Sequence, residues 1–504
     1  MTNFSPSAGA PRQNRRRRKP NTGPGQSAHG HQGQAPRTPS GPAVDMSVSS
    51  EPVVDAADFA ELGVPASIVS SLARDGVVKP FPIQSATLPD SIAGRDVLGR
   101  GKTGSGKTIA FAIPTVMALT SSGKTRQPRA PRSLILVPTR ELANQVAETV
   151  TPLARALNLT VAVVFGGVSQ GPQVTALRNG VDVLVACPGR LEDLIGQKHC
   201  RLDKVEVTVL DEADHMADLG FLPGVKRLLD QTPTGTQRLL FSATLDNGID
   251  VLVKRYLSNP VVHSVDSGQA EVSTMTHHVL GVSAADKPTV IRELAGGLDR
   301  SLLFTRTKHG AKKLAKQLTM GGIPAVELHG NLSQNARERN LASFADGSTR
   351  VLVATDIAAR GIHVDEIALV VHVDPPAEHK AYLHRSGRTA RAGAEGVVVT
   401  IMTPDQVGDV KVLARDAGIK PIITKVEPGH SLVKSLVGPT APFVQPSAVV
   451  DTPRPNPPRR PGTGRPGAGG GRPGSSSGRP GSSGASRQGG AGRSSSGRSG
   501  QRSR

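Results

Sequence analysis

Along the middle of the chain, short runs of consecutive apolar residues alternate with longer stretches of helical periodicity. Asp96–Gly99, Ser133–Val137, Thr160–Phe165, Asp182–Ala186, Val207–Leu210 and Leu239–Phe241 read as strands, and Ser301–Phe304 is a further one. Runs that are apolar at odd and even positions alike suit strands covered on both faces. The stretches between them, such as Ile109–Leu119, supply crossover helices. The pattern therefore predicts an α/β fold with a doubly wound parallel sheet. Each run ends in a polar motif, and the C-terminal edge of such a sheet is where ligands collect.

The first run leads into Gly101-Lys-Thr-Gly-Ser-Gly-Lys-Thr108 and then into a helix. This strand–GxxxxGK[ST]–helix order is that of a phosphate-binding loop. Gly101, Gly104 and Gly106 permit a tight turn, so successive N–H groups of Lys102, Thr103, Gly104, Ser105 and Gly106 face an anion at the helix N-terminus. Lys107 can reach the β- and γ-phosphates, and the Thr108 hydroxyl can ligate Mg²⁺. The chain is expected to bind a nucleoside triphosphate.

Acidic residues follow the Val207–Leu210 run. Asp211 can hold Mg²⁺, partly through water, and Glu212 can accept a proton from an attacking water. Asp is also a favoured helix N-cap, and these residues alone leave both readings open. Upstream, the amide of Gln84 can donate to and accept from an adenine edge. The Pro80-Phe-Pro82 before it is equally compatible with a rigid linker.

Charge changes the picture at the ends. Residues 1–50 hold seven Lys/Arg and one acid, and residues 452–504 hold eleven Arg and no acid. That is +6 plus +11 of the +20 total, which leaves +3 for residues 51–451. The arms are rich in Pro, Gly, Ser and Arg, and Gly-Arg-Pro-Gly recurs from Gly464, Gly471 and Gly478. Such arms cannot bury enough apolar surface to fold, and they attract polyanions; a merely solubilising role is the alternative. Cys187 and Cys200 are the only cysteines, which excludes a disulfide framework and fits a reducing cytoplasm. No apolar run is long enough to span a membrane, and no secretory signal is expected.

Taken together, the motifs resemble those of the DEAD-box RNA helicases. The tetrad stands at Asp211-Glu-Ala-Asp214, and Phe59 lies 17 residues before Gly76, which opens the Gln84 motif. In order follow the phosphate loop, Pro138–Ala143, Gly166-Gly167, Pro188–Arg190 and Ser242-Ala-Thr244. Farther on stand Thr305–Thr307, His329-Gly330, Gln334–Arg337, Thr355–Gly361 and His384–Arg391. The resemblance covers residues 58 to about 425.

The resemblance implies two tandem RecA-like lobes, residues 56–265 and 276–428, joined by a linker at 266–275. Disordered basic arms are expected at 1–55 and 429–504. It implies an ATP-dependent RNA helicase in which RNA bridges the lobes and favours closure. Phe59 would stack on adenine, Asp356 would lie near the ribose, and Arg388 and Arg391 would act as arginine fingers. Asp214, Ser242, Thr244 and His384 would couple the lobes. Pro138, Thr139, Arg140, Gly167, Arg190, Gly330 and Thr355 would hold the RNA backbone. A cytoplasmic monomer is expected, with ribosome assembly, mRNA turnover and cold adaptation open as roles in ribosomal or mRNA-decay complexes. Departures from the family pattern are Gly101 for Ala, Cys187 for Thr, His363 for an acid, Ser386 for an apolar residue and Ala390 for Gly. An ATP-gated RNA clamp would use the same motifs. A translocating DNA helicase shares the core, but Gln84, Phe59 and the tetrad argue against it.

Overall fold

The computed structural model describes residues 58–446, apart from residues 102–103, 245–246, 266–274, 360–363, 365–366 and 391–395. The expected N-terminal arm, residues 447–504 of the expected C-terminal arm, Lys102, Thr103, His363, Arg391 and all but the last residue of the expected linker lie outside the described residues.

Two seven-stranded parallel sheets organise the rest. The first contains β1 (Val97–Arg100), β2 (Ser133–Leu136), β3 (Val161–Val164), β4 (Val183–Ala186), β5 (Val207–Leu210), β6 (Gln237–Ser242) and β7 (Val261–Ser264), in the order β3-β4-β2-β5-β6-β1-β7. The second contains β8 (Met275–Gly281), β9 (Arg300–Phe304), β10 (Ala325–Leu328), β11 (Val351–Ala354), β12 (Ile367–His372), β13 (Gly396–Met402) and β14 (Ile422–Lys425). Its order, β10-β11-β9-β12-β13-β8-β14, repeats that of the first sheet position by position.

The expected doubly wound α/β architecture is present in both lobes, and the alternation of side chains explains how each is built. Within the fully buried β2, Ile135 joins one buried cluster and Leu134 and Leu136 join the other. In β11, Val351 and Val353 face one cluster while Leu352 and Ala354 face its counterpart. Period-two strands with no polar face thus feed a core on each side of the sheet. Among the described residues no helix is long and apolar enough to cross a membrane.

The C-terminal boundary differs from the expectation. Residues 429–446 fall within the expected disordered arm, but Ser431–Val437 forms a helix with Val433 buried against the core of the second lobe. Beyond it, the Leu298 N–H donates to Pro439 (3.0 Å) and the Ala441 N–H to Gly296 (2.8 Å). The helix is a short apolar island between glycines and prolines, so its periodicity covers too few residues to stand out.

Candidate active site

The phosphate loop, the Asp211–Asp214 tetrad and the Ser242–Thr244 motif each leave the C-terminal end of a strand. After β1, Gly104 (φ +89°) and Gly106 (φ +87°) turn the chain into the helix Lys107–Ser121. Lys107 is buried, and its Nζ donates to the Gly101 carbonyl at 2.6 Å. Asp211 follows β5 and is also buried. Burial raises its carboxyl to about 7; Lys107 opposes that shift, while Glu212 and Asp214 add to it.

Glu212 adopts the left-handed region (φ +49°, ψ 51°), which a side chain enters only at a cost. Its Oε2 lies 3.2 Å from His215 Nδ1. Burial raises its pKa, but His215, Lys107 and Arg388 outweigh burial and hold it at about 2. Glu212 is therefore an anion with Lys107 and Arg388 beside it.

Asp214 ties this loop to the end of β6. Its N–H donates to Ser242 Oγ (3.2 Å), and its Oδ2 accepts the Thr244 N–H and hydroxyl, each at 3.0 Å. Four of the expected residues are thus joined with the tetrad, since His384 and Arg388 of the second lobe reach the same point. A cavity of about 20 Å³ is lined by Lys107, Glu212, Asp214, His215, Ala243, His384 and Arg388.

Two expected placements differ. Phe59 is fully buried in the core of the first lobe and offers no open face to a base. Gln84 is buried as well: its Oε1 accepts the Phe81 N–H and its Nε2 donates to the Gly106 carbonyl, both at 2.9 Å. Its amide links the helix Pro82–Ile92 to the phosphate loop instead of pointing outward. Asp356 is gripped by Arg385, with Oδ2 at 2.8 Å from Nη2, so its carboxylate is paired within the protein. Phe81, in the Pro-Phe-Pro segment, is half exposed, and a Cβ at Gly106 would overlap its ring.

A second cleft, of about 520 Å³, runs between the lobes. Pro138, Thr139, Arg140, Arg190 and Gly330 line it together with Cys187 and Phe221. Thr139 caps the helix Arg140–Ala156 by accepting the Leu142 N–H at 3.2 Å. The Arg140 guanidinium lies against Gly167 where a Cβ would overlap it, and Gly167 has φ +82°. Thr355 is not part of the lining; its N–H donates to the Leu328 carbonyl at 3.2 Å. Behind the cleft, buried Glu141 accepts from Arg337 Nε (2.7 Å) and Gln334 Nε2 (3.3 Å), while Arg140 donates to Gln334 (3.1 Å). Glu141 stands in the Pro138–Ala143 motif and Gln334 and Arg337 in another, but nothing in the sequence pairs the two motifs.

Residues 81–251 match the DEAD/DEAH box helicase family, and residues 286–393 match the helicase conserved C-terminal domain. DEAD-box ATP-dependent RNA helicase 20 of Arabidopsis thaliana is 34% identical over 349 residues, which are 68% of this chain and 70% of that protein. The chain belongs to the DEAD-box ATP-dependent RNA helicases. The chloroplastic helicase 3A of Zea mays is 41% identical over 372 residues, 72% of this chain but 49% of that protein. The chain thus spans about half the length of that relative. The S. cerevisiae Dbp5 structure bound to RNA and ADP BeF3 is 27% identical with a TM-score of 0.66, covering 76% of this chain and all of that one.

Against the DEAD-box pattern, the departures have local explanations. At Gly101 a Cβ would come within 2.8 Å of Ser105 Oγ, so glycine suits this loop. Ser386 is buried, and its hydroxyl donates to the Tyr382 carbonyl at 2.8 Å, which offsets the cost of burying a hydroxyl there. Burial pushes the Cys187 thiol up to about 12, with Glu141 adding to the shift and Arg140 opposing it, so it is a thiol and not a thiolate. Ala390 stands at φ +55°, where the usual glycine would be unstrained.

The donor set of this DEAD-box protein fits Mg²⁺. Asp211 is a buried, under-compensated carboxylate and Thr108 opens the neighbouring helix, both hard oxygen donors. Among the described residues no cluster of three acidic, His or Cys side chains could hold a metal alone.

Proposed function

We propose that the chain is an ATP-dependent RNA helicase that couples ATP hydrolysis to local, sequence-independent separation of RNA strands or remodelling of RNA–protein complexes. The observation that carries this reading is the shared cavity in which Arg388 of the second lobe meets Lys107 and Glu212 of the first. Phosphoryl transfer needs positioning and cations around the γ-phosphate more than covalent chemistry. A site divided between two lobes is complete only when they close.

In this reading the phosphate loop, Lys107 and Thr108 bind the triphosphate, and Phe81 offers the base an open ring. Bound Mg²⁺, held through Asp211 and Thr108, would supply neutralisation of phosphate charge. Glu212, kept anionic by His215, Lys107 and Arg388, orients the attacking water and takes its proton. Arg388 stabilises the developing charge, and Arg391 is assigned the same duty from its motif. Asp214, Ser242 and Thr244 carry the state of this site to the loop after β6.

RNA is assigned to the second cleft, where Arg140 and Arg190 meet phosphate and exposed glycine backbone at Gly330 permits close approach, with Gly167 beside Arg140 at its edge. Contacts of this kind position a strand without reading its bases. The likeness to Dbp5 bound to RNA and ADP BeF3 supports this assignment. A monomer working in a reducing compartment such as the cytoplasm fits the two free thiols. Ribosomal or mRNA-decay complexes are candidate settings. ATP hydrolysis with RNA, with DNA and with neither, beside release of a short RNA duplex, tests the reading; hydrolysis indifferent to RNA would reject it.

A further inference from the structure

The face of the second lobe opposite the active site carries a cavity of about 380 Å³ that the helicase reading leaves without a role. The turns before β9, β10 and β11 form its floor. It therefore lies a strand length, roughly 13 Å, from the motifs at their C-terminal ends. Its wall is the chain that leaves the helix Ser431–Val437.

That chain is pinned by backbone bonds, the last of them from the Val444 N–H to the Gly322 carbonyl at 2.9 Å. Gly322 has φ +81°, and the Phe443 ring lies against it where a Cβ would overlap the ring. One side of Phe443 thus rests on backbone while the residue is 69% exposed. A lone exposed ring is ordinary on a protein surface, but its surroundings are not. Arg292, Arg350 and Lys434 border the same cavity, and among the described residues none of them pairs with a carboxylate. The acid of the wall, Glu293, is engaged by the Gly429 N–H at 2.9 Å.

We infer that this cavity is a second RNA subsite, in which a nucleobase stacks on the open face of Phe443 and the flanking phosphates meet Arg292, Arg350 and Lys434. The inference rests on the reading of the chain as an RNA-binding protein. Unpaired cations beside an engaged carboxylate select a polyanion, and the ring selects one that carries flat bases. The chain continues from Pro446 into the arginine-rich residues 452–504, whose charge attracts the same class of ligand. The subsite would hold RNA in every nucleotide state, because it is built within one lobe.

The test uses the full chain without nucleotide and two single-stranded RNAs of equal length and charge, one of them abasic. The intact chain should bind the base-bearing RNA at least about fivefold more tightly, the lower end of stacking on an aromatic side chain. Phe443→Ala should abolish that preference and Phe443→Trp should keep it. Arg292→Glu with Lys434→Glu should weaken binding of both RNAs and flatten the salt dependence. RNA-stimulated ATP hydrolysis of Phe443→Ala, measured at saturating RNA, should match the intact chain. Equal binding of the two RNAs by the intact chain, or an unchanged preference in Phe443→Ala, overturns the subsite. If the intact chain binds neither RNA and its hydrolysis ignores RNA, the RNA reading itself falls and the subsite with it.

Discussion

Arg337 of the second lobe and Glu141 of the first meet at 2.7 Å, with side chains only 10% and 6% exposed. Removing one partner of such a buried pair costs about 3–5 kcal/mol, because the other is left charged and unsolvated. That cost falls on closure, since separated lobes would return Glu141 to water. Arg337→Ala should therefore lower RNA-stimulated ATP hydrolysis at least about tenfold with little change in the melting of either lobe. Exchanging the two charges should restore part of the loss. A fall in melting temperature matching the fall in activity would assign the pair to folding instead.

Glu212 and Arg388 should fail in different ways. Glu212→Gln removes the proton acceptor but leaves Lys107 and Arg388 to hold the nucleotide across the lobes, so hydrolysis should slow while RNA is gripped longer with ATP present. Arg388→Ala should lower hydrolysis by about 10³-fold or more and also abolish the strengthening of RNA binding by ATP. RNA dissociation rates separate the two defects. Equal rates would show that the two residues do not divide the work in this way.

The two phenylalanines near the nucleotide loop should exchange the roles expected from spacing. Phe59→Ala empties a core position and should cost about 3–5 kcal/mol in denaturant unfolding. Phe81→Ala should change stability by less than about 0.5 kcal/mol, yet raise the KM for ATP. A stable Phe59→Ala protein with weakened ATP binding would restore the stacking role to Phe59.

Ala390 holds a left-handed conformation that costs a Cβ-bearing residue roughly 1–2 kcal/mol. Glycine there gives back part of that gain as unfolded-state entropy. Ala390→Gly should therefore stabilise the second lobe by about 1 kcal/mol at most. Chemical denaturation with unchanged cooperativity would register it.

Acid should weaken the second lobe through His277. Its Nδ1 lies 2.9 Å from the Tyr382 hydroxyl, and burial, helped by His278, lowers its pKa from 6.5 to about 4. A base whose folded pKa is depressed binds protons more readily once unfolded. Its contribution to stability is therefore full above pH 6.5 and declines as pH falls toward about 4, by up to about 3 kcal/mol. His277→Gln should flatten the pH dependence of unfolding in that window. An unaltered profile would place the acid sensitivity elsewhere.

Much of this protein was legible in the chain because it depends on local order. Apolar runs such as Val183–Ala186 announce strands covered on both faces, and a motif after each run marks the sheet edge where ligands gather. The phosphate loop, the Asp211–Asp214 tetrad and the Ser242–Thr244 motif follow from residue order alone. What the tertiary structure decided is which polar atoms are already spent. Spacing places Phe59 and Gln84 at the base, but the core takes the ring of the first and Gly106 and Phe81 take the amide of the second. Spacing likewise says nothing of Glu141 and Arg337, which stand 196 positions apart and meet only when two separately folded sheets come together. Burial and pairing are properties of what surrounds a side chain in space, and that surrounding is assembled from distant parts of the chain.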